Sequence, residues 1–88
     1  MNPTKTLIAE AVSRFAFQET PAWENLKASD ISVELDHIET DTASITTVDC
    51  LFDGQATIIL KDARALQALV FGRFDGRRAE VERIVLAA

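Results

Sequence analysis

From Ala43 to Phe52 the chain is dense in threonine, valine and isoleucine, and Gln55 to Lys61 continues that character beyond an Asp53-Gly54 pair. β-branched side chains suit the pleated surface of a sheet. Asp-Gly between two such runs is the strongest short-range signal for a two-residue hairpin. Upstream, Ile31-Ser32-Val33-Glu34-Leu35-Asp36 alternates apolar and polar residues, the mark of a strand with one wet face. Turns at Thr40-Asp41-Thr42 and Asp53-Gly54 then predict three consecutive antiparallel strands.

The two turns imply a common register. Pairing across Asp53-Gly54 sets Phe52 opposite Gln55 and Val48 opposite Ile59. Pairing across Thr40-Asp41 sets Leu35 opposite Thr46 and Val33 opposite Val48. Ile31, Val33, Leu35, Val48, Cys50, Phe52 and Ile59 then share one face, the expected core. A slip by one residue would turn Glu34 and Asp36 inward, so burial enforces this register. The opposite face carries Ser32, Glu34, Asp36, Thr47 and Asp49, together with Ile38, Ile45, Leu51, Ile58 and Leu60. Those five apolar residues imply a cover, either a later segment of the chain or a second copy, and a second copy would make them a dimer seam.

Helices flank this sheet. Asn2 suits an N-cap and Pro3 the first helical position. Leu7, Ile8, Ala11, Val12 and Phe15 then form one stripe at helical spacing. Thr20-Pro21 starts a further turn, anchored by Trp23 and Leu26 and closed by Ser29-Asp30. Asp62 caps a second main helix with Ala63, Leu66, Leu69 and Val70 on its stripe and Gly72 as its stop. The final segment, Ala79 to Leu86, reads as a strand from its β-branched content, with a helix as the alternative. The expected fold is an α+β two-layer sandwich. In it an N-terminal helix packs on a three- or four-stranded antiparallel sheet, in the order α-β-β-β-α-β. Residues 1–88 form one domain in this reading.

Charge narrows the functional classes. Fourteen acidic residues against nine basic ones give a net charge of −5, which disfavours a nucleic-acid partner. The charges are also segregated. Between Ala28 and Asp62 there are eight acids and only Lys61 as a base. Residues 63–88 carry five arginines against three acids. Glu34, Asp36 and Asp49 are expected to project from one sheet face, with Glu39 and Asp41 beside them. An anionic surface of this kind steers and selects a basic protein partner. Arg73, Arg77 and Arg78 form the basic patch.

Catalysis and metal binding find little support. His37, Glu39 and Asp41 alternate along a strand end, but the chain has one histidine and no second ligand cluster, where a metal needs three or four converging ligands. Cys50, the one cysteine, is expected in the core, where a thiol is inert. A lone cysteine excludes an internal disulfide and fits a cytoplasmic protein. The longest uncharged apolar run, Ala65 to Gly72, falls far short of the ~20 residues a membrane span needs. Opening on Met1 fits a complete small reading frame. The expectation is therefore a non-enzymatic acidic module without cofactor or metal. It would act as a stoichiometric inhibitor of the immunity, antitoxin or phage anti-defence (anti-CRISPR) type, occluding a basic surface. The alternative is a homo-oligomeric structural or chaperone-like protein.

Overall fold

A computed structural model describes residues 3–87. The elements are α1 (Pro3–Ser13), a 3-10 turn η1 (Phe17–Glu19), α2 (Pro21–Ser29), and strands β1 (Leu35–Val48), β2 (Leu51–Leu60), β3 (Ala65–Phe74) and β4 (Ala79–Leu86). The strands form one antiparallel meander in the order β1-β2-β3-β4. The fold class is therefore the expected α+β, with the N-terminal helix packed on a four-stranded sheet. The order of elements differs from expectation, because the helix foreseen from Asp62 is strand β3 and the turn before it.

The helical segment follows its local signals. In α1, Ile8 and Val12 are buried and Phe15 packs against the core, as the stripe requires. The Asn2 cap lies outside the described residues. Thr20 caps α2 by accepting the Trp23 N–H at 3.3 Å, and Pro21 occupies the first turn, where no donor is needed. Phe17 is fully buried, and its ring meets Trp23 edge-on at 6.0 Å. Helix α1 lies across the sheet and touches both β1 and β4.

The strand boundaries overturn both expected turns. The end of the first run and the start of the second belong to one strand, β1, which continues through Thr40-Asp41-Thr42 without reversing. The reversal falls at Asp49-Cys50, with Val48 opposite Leu51. Asp49 takes the left-handed conformation there (φ 57°), which short polar side chains tolerate better than most. Asp53 and Gly54 lie inside β2. Gly54 is needed for close packing: a Cβ would stand 3.1 Å from Ile45 Cγ1.

Two irregularities explain how β1 buries its apolar residues. Leu35 faces Leu60, but His37 faces Ile59, so Asp36 is an extra residue. Asp41 faces Gln55 and Thr46 faces Asp53, so residues 42–45 bulge opposite Gly54. Each bulge switches which parity of residue points inward. Leu35, Ile38 and Ile45 thereby reach the same face, although their numbers do not share parity. The larger bulge is closed by polar bonds. Asp41 Oδ1 accepts the Ala43 N–H at 3.2 Å, and the Ser44 hydroxyl donates to the Asp41 carbonyl while accepting the Gln55 N–H at 2.8 Å.

The core face therefore differs from the expected set. Val33 and Phe52 are buried and Leu35 is half-buried. Ile31 is 86% exposed and Val48 69% exposed, Cys50 is exposed, and Ile59 is half-buried on the outer face. Ile31 fails because residues 31–34 precede the strand in a turn. There Asp30 Oδ1 accepts the Ser32 N–H and hydroxyl, and its carbonyl accepts the Val33 N–H. Ile38, Ile45, Ile58 and Leu60, four of the five foreseen seam residues, are buried in the core beneath the helices. They cannot form a dimer seam. Leu51 alone of the five is exposed, at 54%.

In β3, Leu66, Ala68, Val70, Gly72 and Phe74 face the core, while Gln67, Leu69 and Phe71 face outward. Apolar residues on both faces mask the two-residue period and imitate a helical stripe. Asp62 does perform cap-like chemistry, since its carboxylate accepts the Arg64 N–H at 3.0 Å. It closes the β2–β3 turn instead of opening a helix, with Ala63 at φ 74°. Strand β4 confirms the strand reading of the last segment. No helix among the described residues is long and apolar enough to cross a membrane.

Candidate functional site

The acids foreseen as a docking surface divide into separate groups. Glu34 precedes β1 and pairs with Lys61 Nζ at 3.5 Å. Asp36 occupies the first bulge. Glu39 and Asp41 follow it along β1, an edge strand, opposite Thr57 and Gln55 on the outer face. Asp49 sits in the β1–β2 turn at the far end of this 14-residue strand. The paired stretch of β2 covers the same span in the steps from Leu60 to Leu51, so at ~3.3 Å per residue Asp49 lies on the order of 30 Å from Asp36. Asp49 is therefore not part of the patch, because the cross-strand reach assumed for it required a turn at Thr40-Asp41.

His37 organises the remaining acids. Its Nε2 lies 3.0 Å from Glu39 Oε1 and its Nδ1 3.5 Å from Asp36 Oδ2. The Glu39 hydrogen bond raises the imidazole pKa above the usual 6.5; slight desolvation opposes this, and the charges of Asp36 and Glu39 reinforce it. A raised folded-state pKa means that the contact stabilises fully below the unfolded value near 6.5. That stabilisation fades as pH rises through the folded value. An NMR titration of the His37 ring is expected to give a midpoint above 6.5, and Glu39→Gln is expected to move it back toward 6.5. A midpoint at or below 6.5 in the unaltered protein would contradict this arrangement.

Acids elsewhere in the segment are occupied by bracing. Arg64 binds Asp30 Oδ2 at 2.8 Å and Asp62 Oδ2 at 2.7 Å, linking the end of α2 to the β2–β3 turn. Hydrogen bonds from Ser32 and then Arg64 hold the Asp30 carboxyl below its usual range. The Arg64 backbone N–H does the same for Asp62. Asp53, taken from the sequence as a turn residue, stands on the outer face and accepts the Thr46 hydroxyl at 2.6 Å. It extends the acidic row of β1 into β2.

Both helices lie on the opposite side of the sheet, so this outer face is bare. Val48 and Leu51 are exposed at one end of the β1–β2 hairpin, and Leu69 and Val85 are partly exposed beside Phe71. The guanidinium of Arg83 covers Phe71 at 4.5 Å from the ring centroid, a cation–π contact that shields the ring from water. Sequence reasoning missed Leu69 and Phe71 as residues of this sheet face because it placed 62–72 on a helix. Among the described residues, no three His, Cys, Asp or Glu side chains gather as a metal site. Family models, curated proteins and solved structures give no match to this chain. The surface itself must carry the functional argument.

Cys50 has a different neighbourhood from the one expected. It stands in the β1–β2 turn on the wall of an open cleft, beside Arg14, Arg73 and the β3–β4 turn. The chain's one histidine lies on the strand face at the other end of β1, so no imidazole base accompanies the thiol.

Proposed function

We propose that this protein is a non-enzymatic binding module that occludes a basic surface of a partner protein, in the manner of a stoichiometric inhibitor. The observation that carries this reading is the placement of Asp36, Glu39 and Asp41 along an uncovered edge strand, continuous with Asp53 on a sheet face that no helix covers. The acids supply long-range attraction and exclude acidic partners. The neighbouring apolar side chains, Val48 and Leu51 at one end and Leu69 at the centre, supply area that gains from losing water. Immunity proteins, antitoxins and phage anti-defence proteins are the functional classes this chemistry suits, and a reducing cytoplasm is its expected setting.

The test is affinity capture at low and high salt, followed by affinity measurement on the isolated partner. The expected result is a basic partner retained at low salt and released at high salt. Glu39→Lys combined with Asp41→Lys should weaken its binding by at least about tenfold, mostly through a slower association rate. Glu24→Lys on α2, away from the surface, should bind as the unaltered protein does. Binding indifferent to both salt and the double reversal would defeat the proposal. A homo-oligomer is the rival reading, and it would now use Val48, Leu51, Leu69 and Val85. Light scattering that shows a monomer at high concentration would remove it.

A further inference from the structure

At the end of the sheet opposite the Asp30–Asp62 brace, four arginines gather at the same end as the carboxylates of Asp49, Asp75, Glu80 and Glu82. Four arginines line one open cleft of ≈ 800 Å3 there, within the size range of small-molecule sites. Arg14 comes from the end of α1, Arg73 from β3, and Arg77 and Arg78 from the β3–β4 turn. Arg73 pairs loosely with Glu82 at 3.5 Å. Among the described residues, Arg14, Arg77 and Arg78 enter no salt bridge. That is notable in a chain whose acids outnumber its bases fourteen to nine.

The turn that presents two of these arginines is tightly built. Asp75 Oδ1 accepts the backbone N–H groups of Arg77 and Arg78 at 2.9 and 2.8 Å, and the Asp75 N–H donates to the Arg78 carbonyl. Gly76 supplies the positive φ of 94° that the turn requires. The backbone is thus fixed without either guanidinium, and both side chains remain exposed. Two carboxylates, Asp75 and Glu80, also line the cleft, and Asp75 is engaged by the turn. The floor includes Leu7 and Phe74, which offer apolar contact to the body of a ligand.

Guanidinium forks match phosphate oxygens two at a time and keep their charge at any physiological pH. We propose that this cleft binds a phosphorylated small molecule through Arg14, Arg77 and Arg78, with a diphosphate group spanning the two sides. The site is distinct in position and charge from the acidic edge of β1, and it does not depend on the function proposed for that edge.

Inorganic pyrophosphate is the probe. Added at constant ionic strength, it is expected to shift the backbone amide signals of residues 73–80 and the Arg14 side-chain signal, and to saturate at or below about 1 mM. It should also slow alkylation of Cys50 by neutral iodoacetamide, because the thiol stands on the cleft wall. Arg77→Ala with Arg78→Ala should weaken both effects by about tenfold or more, since each removes charge-assisted hydrogen bonds. The spectrum of the unliganded variant should otherwise match the unaltered protein, as the turn is held by backbone bonds. Shifts reproduced by chloride at equal ionic strength would overturn the proposal, as would undiminished binding by the double variant. Binding of an acidic peptide without binding of pyrophosphate would overturn it too.

Discussion

Gly72→Ala is expected to destabilise the protein by about 3 kcal/mol, at the upper end of the cost of overpacking a core. A Cβ at this position would stand 2.2 Å from the Glu80 carbonyl oxygen and 2.5 Å from Phe52 Cζ. The carbonyl cannot retreat without opening the β3–β4 ladder beside its register shift at Phe71/Gly72. The Phe52 ring is itself buried, so it must repack to make room. Denaturant unfolding of the variant provides the measurement. Gly54→Ala is the comparison: its nearest neighbour is a side-chain carbon at 3.1 Å, which can shift, so a smaller loss of about 1 kcal/mol is expected. A Gly72→Ala protein within about 0.5 kcal/mol of the original, the range of an ordinary surface change, would show that the β3–β4 contact is looser than described.

Phe17→Ala is the second large effect, at about 3–5 kcal/mol. Phe17 is fully buried and holds Trp23 edge-on at 6.0 Å, so its removal leaves a cavity between the helical segment and the sheet. An 88-residue chain has a total stability of roughly 4–13 kcal/mol at ~0.05–0.15 kcal/mol per residue. A loss of this size consumes much of that margin. Thermal unfolding followed by near-ultraviolet dichroism of Trp23 should show a greatly lowered midpoint. Phe15→Ala, at a half-buried site, should cost distinctly less. Equal effects at the two positions would mean that Phe17 does not hold the segment to the sheet.

The helical third of the molecule was legible because its signals are local. A proline in the first turn, the Thr20 cap and a stripe containing Ile8 and Val12 each act within a few residues. Phe17 escaped notice because it sits in a single 3-10 turn, which has no periodicity to extend. The sheet was legible in kind but not in register. Thr40-Asp41-Thr42 and Asp53-Gly54 have the composition of turns, yet one supports a bulge and the other a close packing contact with Ile45. What decides between those uses is the position of Ile45 in space, which no short window contains. The same bulges invert the inward parity of β1 twice, so counting alternate residues assigned Ile38 and Ile45 to the wrong face, and the assumed turn at Asp53-Gly54 did the same to Ile58 on β2.

The acidic site fared in the same way. Asp36, Glu39 and Asp41 stand on the surface as foreseen, because carboxylates without deep partners stay in water whatever the register. Asp49 was grouped with them only through a pairing that does not occur. Asp53 was left out through a hairpin that does not form. The basic cleft was half visible: Arg73, Arg77 and Arg78 are neighbours along the chain, whereas Arg14 joins them only because α1 ends over the same end of the sheet.

The contact of α1 with both outer strands also governs the order in which the molecule can assemble. Each strand pairs with its immediate successor, so the sheet can zip hairpin by hairpin with little loop-closure entropy at each step. The helix cannot complete its seat until β4 has arrived, because that strand supplies one wall of it. Docking of the first element is therefore completed only by the last, through a contact between two segments separated by almost the whole chain.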